Sequence, residues 1–451
     1  MVPTSPWRTP DFRTLFTASA LSQLATNVGQ VAVPLAAVTT LDASAGQVGL
    51  LATLSTLAFL LIGLPAGAWV DQMRHRRVLI CADMARAALF ASVPVAWSLD
   101  VLTLEQLYAV VLLNGCATVF FDVGSQSFLP TLVGREGLVP ANAAVVSLQA
   151  MGNVAGRGAG GGIVQLLTAP VAVIAVGVLY LGSALRLFGI RARAAGTDTG
   201  TGTGTGTETG AGQEAGAGTG ASAGLPGLRA RIGEGLRHVL GNAELRALAL
   251  TASISNFGSQ IVNTLLPLLF TRQLGLSAGV LGLYWAVGGV GIFLGARLAQ
   301  PLAARFGHGR ALGFAGACVA PAALLVPLID RGGWLWLAGA GWVLTTAKMG
   351  MDNVLGVSLR QRLTPMPMLG RMSATFRFML TGAVAVGSAA AGVLGEFAGL
   401  RVALWVGGGC MALAFVPVLL SPVRTRRSLP PQAGAARDIL LSHGERGNAR
   451  R

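Results

Sequence analysis

Charge is scarce in this chain of 451 residues. Asp, Glu, Lys and Arg together make up 11% of it, against about 25% in soluble domains. Hydrophobic residues make up 53%, and the mean hydropathy is +0.64. That imbalance excludes an ordinary soluble enzyme and a disordered tail protein alike. Lysine is nearly absent: Lys348 stands alone, so the net charge of +15 is carried by arginine. A basic chain invites a nucleic-acid reading, but these arginines lie between apolar runs rather than on one basic face, and no nucleic-acid partner is expected. The four cysteines (Cys81, Cys116, Cys318, Cys410) each fall inside an apolar stretch and form no CxxC, so neither a disulfide framework nor a zinc site is expected. The four histidines share no ligand spacing. No GxxxxGK[ST] run is present, which argues against ATP drive within the chain. The apolar runs hold no carboxylate cluster, His/Cys ligand set or nucleophile constellation, so the chain is not expected to be an enzyme and no metal or cofactor is implied. The first apolar run is too long for a cleaved signal and reads as a span.

What is present is a series of twelve such runs, at about 14–38, 46–70, 78–98, 103–127, 139–167, 169–190, 246–271, 278–303, 310–329, 334–358, 370–395 and 399–420. Each approaches the roughly 20 residues that cross a bilayer as a helix. Many hold Gly and Pro, which membrane helices tolerate. The fold class expected is an all-α polytopic membrane protein with the lipid bilayer as its partner. The loops alternate in charge. Arg8, Arg13, Arg74, Arg76, Arg77, Arg135, Arg191, Arg193, Arg229, Arg231, Arg305, Arg310, Arg360, Arg362, Arg424, Arg426 and Arg427 fall on one side, and only Arg272, Arg331 and Arg401 on the other. The positive-inside rule puts both termini in the cytoplasm of a multi-pass plasma (inner) membrane protein.

Residues 194–224 break the pattern with a Thr-Gly alternation and Gly/Ala-rich sequence, which cannot bury a core and reads as a flexible linker. Residues 228–240, with Arg229, Arg231 and Arg237, fit either an amphipathic helix on an anionic leaflet or a solvated lead-in to the next span. The organisation expected is a six-helix bundle over 1–190, a cytoplasmic linker and basic segment over 191–243, a second six-helix bundle over 244–421 and a disordered cytoplasmic tail over 422–451.

The two halves match at an offset of 233 residues: Ser44-Ala45-Gly46 with Ser277-Ala278-Gly279, Gly49-Leu50 with Gly282-Leu283, Pro34 with Pro267, Arg77 with Arg310. Six spans per half make these parallel repeats. Span one holds Gln23, Asn27 and Gln30, and span seven holds Asn256, Gln260 and Asn263 at the same positions. Spacing of i, i+4, i+7 sets each trio on one helix face. Amides in hydrocarbon need partners. They serve either as hydrogen-bonded glue between helices or as the wall of a polar cavity between the halves.

The loop between spans two and three reads Gly67-Ala-Trp-Val-Asp71-Gln-Met-Arg74-His-Arg76-Arg77. It resembles the signature loop of the major facilitator superfamily, G-x-x-x-D-x-x-x-x-R-R. Phe120-Phe-Asp122-Val-Gly-Ser-Gln126-Ser-Phe-Leu-Pro130, Ala141-Asn142-Ala143, and Ser358-Leu-Arg360-Gln361 through Leu369-Gly370-Arg371 are similar to an actinobacterial exporter branch that includes macrolide-efflux and enterobactin-exporter permeases. The resemblance covers nearly the whole chain outside the linker and the tail. It implies a major facilitator fold of twelve transmembrane helices in two parallel six-helix repeats, with a small-molecule substrate held near the midplane between them. It implies a gate in which Asp71 meets basic residues and the N-terminus of span eleven, with Gly67, Arg74, Arg76, Arg77, Asp122, Arg310, Arg360, Gly370 and Arg371 around it. A helix N-terminus favours such an anion by roughly 0.3–1 kcal/mol. The activity implied is efflux of drug, multidrug or secondary-metabolite cargo by a monomeric antiporter drawing on the proton gradient. The same fold also serves uptake and facilitated diffusion, and a membrane sensor is a further class.

The chain departs from that branch at Thr26 and Gln30, where relatives carry an Asp and a base. It departs again at Gly156-Arg157-Gly158-Ala159-Gly160-Gly161, where drug antiporters carry G-P-x-x-G-G. Asn114-Gly115 is the nearest polar feature to the family's arginine in span four. A charge at the bilayer centre costs about 2.5–3.5 kcal/mol on insertion scales, so the mid-span charges need reasons. Lys348 and Asp352, at i and i+4, can pair on one face, and Asp352 is a candidate for the protonatable carboxylate missing from span one. Arg157 has three open readings: a pair with Asp352 across the halves, a contact to an anionic substrate, or snorkelling through a water defect. Asp83 and Arg86 read as a structural pair.

Overall fold

The computed structural model describes residues 6–190 and 225–426. The Thr-Gly linker and the tail from 427 lie outside the described residues, as do the side chains of Asp71, Arg135, Arg229 and Arg231 and the environment of Gly67. Among the described residues all regular structure is helical. The first half holds α1 (Pro10–Thr40), α2 (Ala45–Asp71), α3 (His75–Ser98), α4 (Leu104–Leu167) and α5 (Ala169–Phe188). The segment α6 (Leu225–Gly241) leads into the second half. That half holds α7 (Ala243–Leu268), α8 (Ala278–Phe306), α9 (His308–Val319), α10 (Gly333–Leu363), α11 (Leu369–Phe397), α12 (Leu400–Leu413) and α13 (Val416–Leu419). Short helical turns at Leu269–Gln273 and Ala320–Leu328 prolong α7 and α9.

Local chemistry starts these helices where their spans begin. Ser44 and Gln47 form a capping box at α2: the Gln47 N–H donates to Ser44 Oγ at 3.4 Å and the Ser44 N–H to Gln47 Oε1 at 2.8 Å. Asn242 Oδ1 accepts from the N–H groups of Glu244 and Leu245 at the start of α7. Such caps satisfy donors that the first helical turn leaves free.

Spans four and five, expected as two helices, run together as the 64 residues of α4. A straight helix of that length would reach about 96 Å at roughly 1.5 Å per residue, three times a bilayer core. The packing shows that α4 doubles back. Gly115 lies against Ala58 of α2 and Gly124 against Leu79 of α3, whereas Gly152, Gly156 and Gly160 climb α1 beside Gln23, Asn27 and Val31. The reversal falls between Leu129 and Ala141, which share one buried cluster, and Pro130 and Pro140 flank it. Proline removes a helical hydrogen bond and bends the helix there. The two limbs of α4 therefore act as separate spans.

Among the described residues, eight helical stretches are long and apolar enough to cross a membrane by length and composition. The remaining long ones are α1, the second limb of α4, α7 and α10, which carry the amide stripes, Arg157 and the Lys348–Asp352 pair.

The core is divided unevenly. At the end of the molecule distal to the termini, one buried cluster joins both halves, including Leu35, Val38 and Val48 with Leu265, Phe270 and Ala391. At the terminus-bearing end there are two separate clusters. Phe12, Leu79, Phe121 and Leu187 pack in the first half, and Leu245, Leu355, Met372 and Phe376 in the second. The halves are joined at the distal end and parted at the other.

Candidate functional site

Two seams join the halves, α2 against α11 and the second limb of α4 against α8. In the first, a Cβ on Gly49 would overlap the Gly392 backbone; in the second, a Cβ on Gly161 would meet the Gly282 Cα at 2.5 Å. Glycine is required at both because the backbones touch, as at close helix crossings in membranes. Polar latches sit just beyond, at the distal rim. The Gly46 N–H donates to Glu396 Oε2 at 2.9 Å. Ser277 Oγ donates to Gln165 Oε1 at 3.2 Å. Arg272 donates to the Val38 carbonyl at 3.1 Å and to Asp42 at 3.3 Å. Among the described residues every hydrogen bond between the halves lies at this rim.

Below the seams the expected polar stripes divide by role. Asn27 is buried, 1% exposed, and its amide nitrogen donates to the Gln23 carbonyl while its oxygen has no partner. Gln23 and Asn27 pack onto Gly152 and Gly156. Gln30 is exposed and accepts from Arg157 Nη2 at 3.3 Å. Thr26, expected in the cavity, is turned inside the first half, where its hydroxyl meets Tyr180 Oη at 3.0 Å; one position along the helix rotates a side chain by about 100°. In α7, Asn256 reaches a cavity, Gln260 donates to Thr264 at 3.2 Å, and Asn263 accepts from Trp285 Nε1 at 2.9 Å. Asn263 thus ties α7 to α8.

That cavity, of about 200 Å3, lies in the second half between α7, α10 and α11. Lys348, Asp352, Asn256 and Arg360 supply its polar wall, and Phe376, Phe415 and Leu248 its apolar wall. Lys348 is 5% exposed and bonded to Asp352, as the i, i+4 spacing predicts. Arg360 stacks over Phe376 at 4.7 Å.

Arg157 stands on α4 between two contact directions. Gly156 and Gly160 turn to α1, and Gly158 and Gly161 turn to α8. Arg157 falls between them, facing the seam between the halves. Gln149 and Asn153, exposed one and two turns earlier, share its side, and the opposite side bears Met151 and Leu166, 69% and 83% exposed. Of the three readings, the pair with Asp352 is not formed, because Asp352 is engaged by Lys348 and Arg157 by Gln30.

The gate residues are spread over the terminus-bearing end. Arg76 donates to the Leu187 and Phe188 carbonyls, closing the C-terminus of α5. Arg74, Arg77, Arg310 and Gly370 are exposed. Arg371 pairs with Glu234 of α6 at 2.5 Å instead of meeting the signature loop. Asp122 lies in the field of Arg86 and of Arg377 from α11. Arg377, in turn, stacks on Phe59 of α2 at 4.4 Å, across the halves. Arg86 and Asp83 pair in full burial, with Phe121 and Tyr180 on the guanidinium at 4.4 and 4.5 Å. Arg377, Glu396, Gln165 and the Gln149–Asn153 stripe escaped the sequence reading. The last repeats at i, i+4 up to Arg157 and was readable; the others gain meaning only from partners remote in sequence.

Comparison with protein families supplies the remaining observation. The model described as Major Facilitator Superfamily matches residues 15–353 and 248–445. The chain belongs to the Major Facilitator Superfamily. It is therefore a multi-pass membrane transporter and not an enzyme. This facilitator is similar in fold to the nucleoside transporter NupG, at TM-score 0.69 and 11% identity over 91% of this chain and 99% of that one. It is also similar to a bacterial homologue of the iron transporter ferroportin in an inward-facing state, at 0.66 and 15%, covering 91% and 98%. A bacterial homologue of the lysosomal transporter Spinster, inward-facing and occupied, gives 0.65 and 16%, covering 92% and 96%. A search of curated protein sequences gave no match. At these identities the likeness speaks for the fold alone.

Proposed function

We propose that this facilitator exports small amphipathic molecules across the plasma membrane in exchange for protons, as a monomer, with both termini in the cytoplasm. The observation that carries the reading is the divided core: one shared cluster at the distal rim and two separate clusters at the terminus-bearing end. With the arginine-rich loops in the cytoplasm, this is an inward-open state of an alternating-access cycle in which the two halves rock about a midplane site. Asp352 is the coupling carboxylate: it lines the cavity and holds Lys348, so taking up a proton frees a cation beside the substrate. Asp71, with the basic residues of its loop, closes the inner gate in the opposite state. Export over uptake, and secondary-metabolite or macrolide cargo, rest on the resemblance to the exporter branch.

The test is accumulation of amphipathic dyes and macrolides in efflux-deficient cells. Wild type should lower accumulation, and a protonophore should abolish the difference. Asp352→Asn should raise accumulation to that of cells lacking the protein. Protonophore-sensitive efflux that survives Asp352→Asn rejects the coupling role, and raised accumulation by wild type rejects export in favour of uptake.

A further inference from the structure

Among the described residues, the charges deep in the spans balance on every inward-facing helix side except at one place. Asp83 holds Arg86, Asp352 holds Lys348, and Asp122 lies in the field of Arg86 and Arg377. Arg297, nine residues before the end of α8, is exposed on the outer face of that helix and stacks on Phe293, and Arg360 occupies the last turn of α10. Arg157 lies ten residues before the end of α4, about 15 Å at roughly 1.5 Å per residue, which is half the bilayer core. Its one hydrogen-bond partner among the described residues is the neutral oxygen of Gln30. It faces the seam between the halves, above Asn153 and Gln149, and not the lipid side where Met151 and Leu166 stand.

We infer that Arg157 is the anchor for the anionic group of the substrate, and that the cargo is a carboxylate-bearing small molecule with an apolar body. A guanidinium presents a planar fork that pairs two N–H groups with two carboxylate oxygens. Gln30 holds one edge of that fork and leaves the rest free. Gln30 and Asn153 offer neutral donors beside it, so the bound anion meets no competing carboxylate from α4 or α1. Snorkelling does not account for the residue, because its depth and its face both point away from the nearest headgroups. This inference rests on the transport reading above and narrows its substrate class. An inside-negative potential drives an anion outward, which suits export of such a cargo.

The test uses three probes that differ only in charge: naphthoate, naphthamide and naphthylmethylammonium, each at millimolar concentration with the purified full chain in lipid nanodiscs. Naphthoate should raise the thermal unfolding midpoint, and the amide and the ammonium should not. Arg157→Gln should lose the naphthoate shift while its own midpoint without ligand stays near wild type. Arg157→Lys, which keeps the charge and loses the fork, should retain a smaller shift; it also serves if the Gln variant fails to fold. Equal shifts for the amide or the ammonium, a naphthoate shift that survives Arg157→Gln, or no shift with any probe each overturn the inference. The assay has no proton gradient, so it fails separately from the proton-exchange reading. Protonophore-sensitive efflux of cationic dyes with no naphthoate shift removes the anion site alone. A naphthoate shift with protonophore-insensitive efflux removes the proton coupling alone.

Discussion

The seam between α2 and α11 and the seam between α4 and α8 use matching parts of the repeat and differ in their chemistry. Gly49 and Gly282 are mates at the offset of 233, and each lies against a glycine of the other half. Ser44 and Ser277 are mates as well. Ser44 caps its own helix through Gln47, and the facing latch is the carboxylate of Glu396 on the Gly46 N–H. Ser277 makes no cap, because its hydroxyl crosses to the amide of Gln165. Packing therefore closes the two seams alike, while electrostatics holds them differently. One seam carries a titratable charge at a helix N-terminus, where a negative group is favoured, and the other carries none. Backbone contact is the shared requirement of closure, and the polar latch is free to vary around it.

The largest effect should come from breaking what the seams share. Gly49→Val and Gly161→Val each force a side chain into the opposing backbone, with overpacking of about 1–3 kcal/mol or more. Spin labels at Asp100 and Asp330, on opposite halves at the distal rim, should move apart by either change, and transport should stop. An unchanged label distance would mean that the seams do not hold the closed rim. The next test sharpens what they do not share. A carboxylate loses its charge as pH falls and an amide does not, so acidification should open the wild-type rim at the α2–α11 seam first. Glu396→Gln should flatten that pH dependence, and Gln165→Glu should extend it to the second seam. A pH profile of label distances that ignores both substitutions would reject the asymmetry. The smallest effect belongs to Arg272, whose partner Asp42 is 98% exposed. Surface pairs contribute about 0.2–1 kcal/mol, so Arg272→Ala should shift the distance distribution slightly and leave flux near wild type.

The membrane spans, the doubled architecture and the Lys348–Asp352 pair were legible because hydropathy, repeat offset and helical spacing are local or periodic signals. The continuity of α4 was not: apolar runs mark where a helix crosses lipid, and say little about whether helical hydrogen bonding persists through a polar bend. The amide stripes were legible as faces and only partly as roles. Gln30 and Asn256 face open space, but Thr26 turns to Tyr180 and Asn263 to Trp285, aromatic partners that no spacing rule ties to them. Glu396 and Gln165 escaped for a related reason. They are 231 residues apart, two short of the repeat offset, and each acquires its role from a helix start in the other half.

The contrast between the eight strongly apolar helices and the four others bears on how the chain enters the membrane. Helices are released into lipid according to their own hydrophobicity during synthesis, before any neighbour can shield their polar atoms. The helices that carry the amide stripes, Arg157 and the Lys348–Asp352 pair, α1, the second limb of α4, α7 and α10, are thus the reluctant ones. Two of them, α1 and α7, open their respective halves, and each is followed at once by a strongly apolar partner, α2 or α8. The residues that make a path through the bilayer are the same ones that make the protein harder to place there.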